Sequence, residues 1–276
     1  MIREVYKAGE MEALRPYVGD ALFERLHGRR HLAAALPDGG LLLLFHVCEL
    51  AGQRRHVRQV CLYASAARIV LVTDDARCVR LMQEAEDGTP ARVLHRFFAG
   101  LTDEDIEPLE RMEGAVTALE DAIVTAGKPV GGIGERIVSL RRSLLALKRY
   151  YEQLSLITEA LAEDTAGLFG EEERRLFVAL DRHVDRLLDY VLHLREYVTQ
   201  VREAYQAQLD YEQNQLMRTF TVMTAIFFPL SLIVGWYGMN FSMPEYGWAF
   251  GYPMVIALSV VVCGICFRIF RRKKWL

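Results

Sequence analysis

The sequence predicts an α+β domain, a mixed sheet with helices, followed by a long stalk helix and two C-terminal membrane-spanning helices. Three observations predict it. Short apolar runs separated by turn residues fill the first third of the 276 residues, as short strands do. From Glu171 to Pro229 no helix breaker interrupts apolar residues spaced by three and four, the period of a helix. Between Thr219 and Phe267 the only charged residue is Glu245, a run that soluble folds rarely carry.

The α/β domain is expected over residues 1–100. Runs 31–36 and 41–48 flank Pro37-Asp38-Gly39-Gly40, so they predict a hairpin. Runs 59–64 and 68–73 make a second pair of strands. Asp74-Asp75 follows, and 76–85 reads as a helix. A helical part is expected over 101–170. Thr102 with Asp105 has N-cap spacing, and Asp103 and Glu104 suit the positive end of a helix starting there. That helix should end near Gly127 and Pro129. A second is predicted over 135–162, before a break at Gly167 to Gly170.

The stalk is predicted over 171–218. Phe177, Leu180, Val184, Leu187, Val191, Leu194, Val198, Val201 and Tyr205 follow alternating steps of three and four, a heptad seam. Such a seam serves equally a face buried on the chain's own earlier helices and one packed on neighbouring copies. A helix over 171–237 would be about 100 Å long.

Residues 219–237 and 249–268 are each close to the ~20 residues that cross a bilayer. The connector 238–248 is too short to form a domain, so the chain crosses, turns and returns. The basic tail 269–276, with Arg271, Arg272, Lys273 and Lys274, marks the cytosolic side. Both termini are then cytosolic. The first ten residues carry acid and no apolar core, so no secretory signal is expected. Trp236, Tyr237, Tyr246, Trp248 and Tyr252 gather at the outer end, where interfacial aromatics belong. On the first span Asn214, Met217, Thr221, Thr224, Phe228, Ser231 and Gly235 share one side. Polar residues at that depth face either a partner helix or water, and spacing leaves both open. Pro229 should kink the span.

The formal net charge of −3 offers no basic surplus for nucleic acid. Five cysteines, Cys48, Cys61, Cys78, Cys263 and Cys266, sit in apolar contexts. They suit a reducing compartment better than a disulfide framework, and Cys263 and Cys266 read as packing residues rather than a metal or redox pair. No phosphate loop or nucleophile–base arrangement suggests an enzyme.

The connector reads Gly238-Met239-Asn240, then Met243-Pro244-Glu245, then Gly251-Tyr252-Pro253, and the chain ends Lys273-Lys274-Trp275-Leu276. This resembles the CorA family of magnesium and divalent-cation transporters. The resemblance implies a funnel-shaped homopentamer in the plasma (inner) membrane, with the first spans lining a pore. It makes Gly238, Met239 and Asn240 the outer mouth. It makes Asn214, Met217, Phe220, Phe228 and Ser231 pore-lining positions, and Thr221 and Thr224 fall on the same face. It favours the pore over simple packing for that face.

The implied activity is influx of Mg²⁺, with Co²⁺ or Ni²⁺ as other cargo, driven by the membrane potential. Mg²⁺ dehydrates reluctantly, so neutral oxygens such as the Asn240 side chain suit a hydrated ion. Glu245 reads either as a concentrator of cations or as a solvated loop residue. At ~2.3 kcal/mol per charge per 100 mV, a divalent ion gains roughly 4.6 kcal/mol moving inward. The family also implies a regulatory Mg²⁺ on acidic residues. Asp181, Asp185 and Asp189 on the stalk, with Asp74 and Asp75 at a strand end, are candidates; a solvated charged face is the plainer account. The position where relatives carry a stalk aspartate aligns with Ala179. Two alternatives stand beside this. One is a zinc-type transporter of the same superfamily; the other is a membrane-anchored structural or signalling coiled coil.

Overall fold

The computed structural model describes residues 2–26, 31–48, 57–85, 88–126, 131–164, 166–239, 247–273 and 275. These fall into two compact units. The first holds Met1–Thr125 and Val130–Arg202, and most of the second is Glu203–Leu276.

In the first unit, β1 (Ile2–Tyr6), β2 (Leu32–Ala35), β3 (Leu41–Cys48), β4 (Val57–Ala64) and β5 (Arg68–Thr73) form one mixed sheet in the order β1-β5-β4-β3-β2. The two expected strand pairs are present: β2 runs antiparallel to β3, and β4 to β5. Between β2 and β3, Gly39 takes a φ of 78°, open to glycine at no steric cost. Strand β1 lies parallel to β5. Its residues lie within the first thirty, where no element was assigned from sequence. The same stretch holds a 3-10 segment (Ala8–Leu14) and two short helices, α1 (Arg15–Val18) and α2 (Asp20–Leu26).

The run Leu41-Leu42-Leu43-Leu44-Phe45 is buried throughout, because helices cover both sheet faces. On one side Leu42 and Leu44 join Leu14, Val18, Phe23 and Leu26. On the other, Phe45 meets Phe98 with ring centroids 5.7 Å apart. Phe98 belongs to α4 (Pro90–Thr102), which follows α3 (Ala76–Glu84).

Helix α4 corrects one expectation. Thr102 does not cap the start of a helix; it ends one, and its hydroxyl donates to the carbonyls of Phe98 and Ala99. The start signal is thirteen residues earlier: the Thr89 side chain accepts from the Arg92 amide, with Pro90 in the first turn. The next helix, α5 (Ile106–Ala126), begins after a short turn and ends where expected.

Helix α6 (Ile133–Glu163) stops at Asp164, whose φ is 49°. The Asp164 carboxylate accepts from the amides of Leu168 (2.8 Å) and Phe169 (3.0 Å), so the turn's free donors are satisfied. Helix α7 (Glu171–Tyr237) then starts with three glutamates in its first turn, favourable at the positive helix end.

The seam from Phe177 to Val201 is buried in the first unit. Each such side chain contributes about 1.5–3 kcal/mol. Flanking contacts identify what covers it. Tyr190 and Tyr197 donate to Glu113 and Glu120 of α5. Thr158 and Ser155 of α6 donate to Asp181 (2.7 Å) and Asp185 (2.9 Å). Of the two readings of the seam, the chain's own helices account for this stretch.

Candidate functional site

Two described helices are long and apolar enough to cross a membrane: the C-terminal part of α7, and α8 (Gly251–Arg272). Helix α8 starts two residues later than the expected span. Both lie in the second unit.

The first span has two distinct sides. Val222 is 8% exposed, and Ala225, Ile226, Pro229, Leu230 and Ile233 are half-buried on the same side. The contact of Cys266 with the Ala225 carbonyl at 3.5 Å identifies α8 as what packs there. Asn214, Met217, Thr221, Thr224, Phe228, Ser231 and Gly235 are all exposed. At ~100° per residue they lie nearly opposite the α8-facing side. Phe220 is exposed on the flank of that face, and Phe228 is 72% exposed. The set selected by spacing is therefore one continuous face left uncovered by the chain's own second span.

The chemistry of that face follows from its threonines. Thr221 donates its hydroxyl hydrogen to the Met217 carbonyl at 2.7 Å, and Thr224 donates to that of Phe220. Each hydroxyl oxygen is thus left as an acceptor on the exposed side. A ladder of such oxygens offers dipoles to a hydrated cation without a fixed charge. Met217 and Phe220 precede these threonines along the helix and Phe228 follows them, as apolar steps.

Pro229 lacks the amide hydrogen that would bond Ala225 O. The Cys266 thiol of α8 donates to that carbonyl instead. Cys263 and Cys266 are free and half-buried. Cys61 and Cys78 are buried free thiols as well. Burial pushes the Cys61 thiol up to about 12, which keeps it protonated.

At the C-terminal end of α7, the Gly238 amide donates to the Val234 carbonyl at 2.9 Å and closes the helix. A Cβ on Gly238 would stand 2.9 Å from that same oxygen, so no larger residue fits the conformation. Met239 is exposed. Asn240, Glu245 and Lys274 lie outside the described residues.

At the other end, Arg271 and Arg272 occupy the last turn of α8, favourable against the helix dipole. Trp275 gathers the neighbouring cations. Its ring stacks on Phe270 at 5.9 Å, and Arg218 of α7 and Lys273 each stand 5.8 Å from its centroid. The sequence gives no sign of the contact between Trp275 and Arg218. No local pattern joins residues 57 positions apart.

The acidic candidates are dispersed. Asp181 and Asp185 accept from α6 hydroxyls as described. Asp189 is exposed. Asp74 accepts from the Ala8 amide at 3.0 Å. Asp75 caps α3 through the Cys78 amide at 3.0 Å and stands 3.7 Å from Arg58. Among the described residues, no three His, Cys, Asp or Glu side chains of one chain converge to hold a metal.

One acid missed as such is Asp105, only 1% exposed. Tyr151 donates to it at 3.0 Å and Arg77 stands 3.7 Å away. Burial pushes its carboxyl up to about 6 against these partners. The sequence placed it in a cap because its spacing from Thr102 mimics one.

Comparison with known proteins bears on this geometry. The family model of the CorA-like Mg²⁺ transporter protein matches residues 15–272. The cobalt/magnesium transport protein CorA of Thermotoga maritima is 30% identical over 185 residues, covering 67% of this chain and 52% of the relative. The magnesium transport protein CorA of Wolinella succinogenes is 26% identical over 186 residues, covering 67% and 57%. The chain thus spans little more than half the length of these curated relatives. In fold it is similar to the complete CorA magnesium transporter of Methanocaldococcus jannaschii, with a TM-score of 0.78 at 20% identity, over 99% of this chain and 90% of the other.

Proposed function

Since the chain belongs to the family of CorA-like Mg²⁺ transporter proteins, we propose that it conducts Mg²⁺ inward across the plasma (inner) membrane, with Co²⁺ and Ni²⁺ as further cargo. Five copies surround one pore, each contributing the exposed face of its first span, and both termini are cytosolic. The observation that carries this reading is that face. It lies opposite the side packed on α8 and presents acceptor oxygens at Thr221 and Thr224. A helix serving only as an anchor or a coiled-coil tether has no need of it.

Five-fold symmetry turns each residue into a ring. Rings of Asn240 side-chain oxygen and of threonine oxygen engage Mg²⁺ through its water shell, which it sheds reluctantly. Gly238 sets the end of the helix so that Met239 and Asn240 form the mouth, and Glu245 raises the local cation concentration. Rings of Met217, Phe220 and Phe228 close the path by dewetting, with Asn214 and Ser231 as polar stations. The membrane potential drives entry, at roughly 4.6 kcal/mol per divalent ion per 100 mV.

For regulation, Mg²⁺ shuts the pore by binding between neighbouring copies, where acidic side chains from two chains complete a set that one chain lacks. Asp189 is the first candidate, being exposed and without an ion pair or hydrogen bond among the described residues of its own chain. Asp181, Asp185, Asp74 and Asp75 contribute only by sharing their present partners.

The test is Mg²⁺ influx into proteoliposomes under an inside-negative potential, comparing wild type with Asn240→Ala. Potential-driven influx that is lost in the variant supports the proposal. No influx from correctly inserted wild type at low internal Mg²⁺ sinks it, and the same vesicles under a proton gradient with Zn²⁺ then test the zinc-type reading.

A further inference from the structure

Trp275 is fixed from two directions. Its amide donates to the Phe270 carbonyl at 2.9 Å, and its ring stacks on that of Phe270 at 5.9 Å. Phe270 is itself buried, so the ring is an anchored platform. Two cations from different parts of the second unit converge on it. The Arg218 guanidinium of α7 and the Lys273 ammonium just past α8 each stand 5.8 Å from the ring centroid. They are therefore no farther apart than twice that distance.

The ring positions both cations without neutralising either. It attracts them through its quadrupole and carries no negative charge to pair with them. Both side chains are exposed, and neither has an ion pair or hydrogen bond among the described residues. Apolar surface leads from them toward the middle of the span. Val261, Ile265, Ile269 and Lys273 follow one another at steps of four along α8 and just past its end, which makes one ridge of the helix. The three apolar members of that ridge are exposed.

We infer that Arg218 and Lys273, held on Trp275, bind the headgroup phosphate of an anionic phospholipid whose acyl chain lies along Ile269, Ile265 and Val261. The guanidinium fork and the ammonium both suit phosphate oxygens. The pair sits at the end of an apolar run long enough to cross a bilayer, the depth at which headgroups lie. A zwitterionic headgroup brings its own cation, which the neighbouring Arg271 and Arg272 repel; an anionic one does not. No lysine or arginine occurs between Thr219 and Phe267, so the preference belongs to one leaflet. The bound lipid bridges α7 and the end of α8.

The test is tryptophan fluorescence of the full chain in nanodiscs of phosphatidylcholine and phosphatidylglycerol, with one lipid or the other brominated on its acyl chain. Trp236→Phe and Trp248→Phe leave Trp275 as the only tryptophan. At equal mole fractions, phosphatidylglycerol should quench Trp275 as though enriched about tenfold over phosphatidylcholine. Arg218→Gln and Lys273→Gln should each reduce that enrichment about threefold, and the two together should abolish it. Arg268 lies two residues from both Cys266 and Phe270 and so on the far side of α8; Arg268→Gln should leave the enrichment nearly unchanged. An equal effect of Arg268→Gln assigns the enrichment to diffuse surface charge and overturns the site. Equal quenching by both lipids overturns it as well, and a shift of Trp275 emission by inorganic phosphate in that case makes the ligand a free anion. Where the tryptophan substitutions prevent folding, native mass spectrometry of the unsubstituted chain reads the same preference from the lipids it retains. The site rests on both helices crossing a membrane and not on ion conduction: quenching by either lipid reports the crossing, and only the preference between them reports the site.

Discussion

The thiol of Cys266 donates to the carbonyl of Ala225 at 3.5 Å, the same carbonyl that Pro229 leaves without its helical amide. A proline inside a membrane span frees one carbonyl, and lipid offers it no partner. Here the second span supplies one. The pair therefore also holds the two spans in register, with the side bearing Ala225 turned to α8 and the polar face turned away.

Replacing Cys266 tests this relationship. A thiol is a weak donor, so Cys266→Ala should cost about 1 kcal/mol. Cys266→Ser, which keeps a donor, should cost less. Thermal unfolding in detergent reads the difference. Equal losses in both variants would mean that the side chain acts by volume alone.

Gly238→Ala should abolish transport while the protein still inserts and assembles. The added Cβ meets backbone, the Val234 carbonyl oxygen at 2.9 Å, and backbone cannot rotate aside as a side chain can. The end of α7 must unwind, moving Met239 and the residue after it. Flux in proteoliposomes, set against oligomer size by light scattering, checks this. Wild-type flux in Gly238→Ala would show that the helix end tolerates the shift.

Much of this architecture is written in local pattern. The hairpin around Gly39, the seam from Phe177 to Val201 and the face from Asn214 to Gly235 each follow from period and turn chemistry acting over a few residues. What escaped reading depends on distant partners. Strand β1 is recognisable only by its parallel pairing with β5, more than sixty residues on. Thr102 and Asp105 imitate a helix cap, whereas the fold uses Thr102 to end α4 and buries Asp105 against Tyr151 and Arg77. The candidate pore face was visible as a stripe; that α8 leaves it uncovered became visible only with both helices in place.

Thr224→Val removes one acceptor oxygen from the exposed face at nearly constant volume. Flux should fall about fivefold, equivalent to roughly 1 kcal/mol of lost ion–dipole stabilisation, while Thr224→Ser should conduct like wild type. Mg²⁺ influx at matched protein density reads both. If valine conducts as well as threonine, the oxygen has no part in conduction.

Asp105 gives the first unit a pH dependence of unusual sign. Its carboxyl is pushed from an ordinary value of 3.8 to about 6 by burial, which outweighs the opposing effects of Tyr151 and Arg77. The folded state therefore binds this proton more tightly than the unfolded state does. The contribution to stability is fully present below about pH 4 and is lost as pH rises through 6, amounting to roughly 3 kcal/mol at most. Asp105→Asn mimics the protonated form, so it should flatten the slope of stability between pH 4 and 6 while retaining an acceptor for Tyr151. Denaturant unfolding of the full chain in detergent across that range measures the slope. An unchanged slope in the variant would assign the pH dependence to other groups and leave Asp105 ionised in its buried site, held by Arg77.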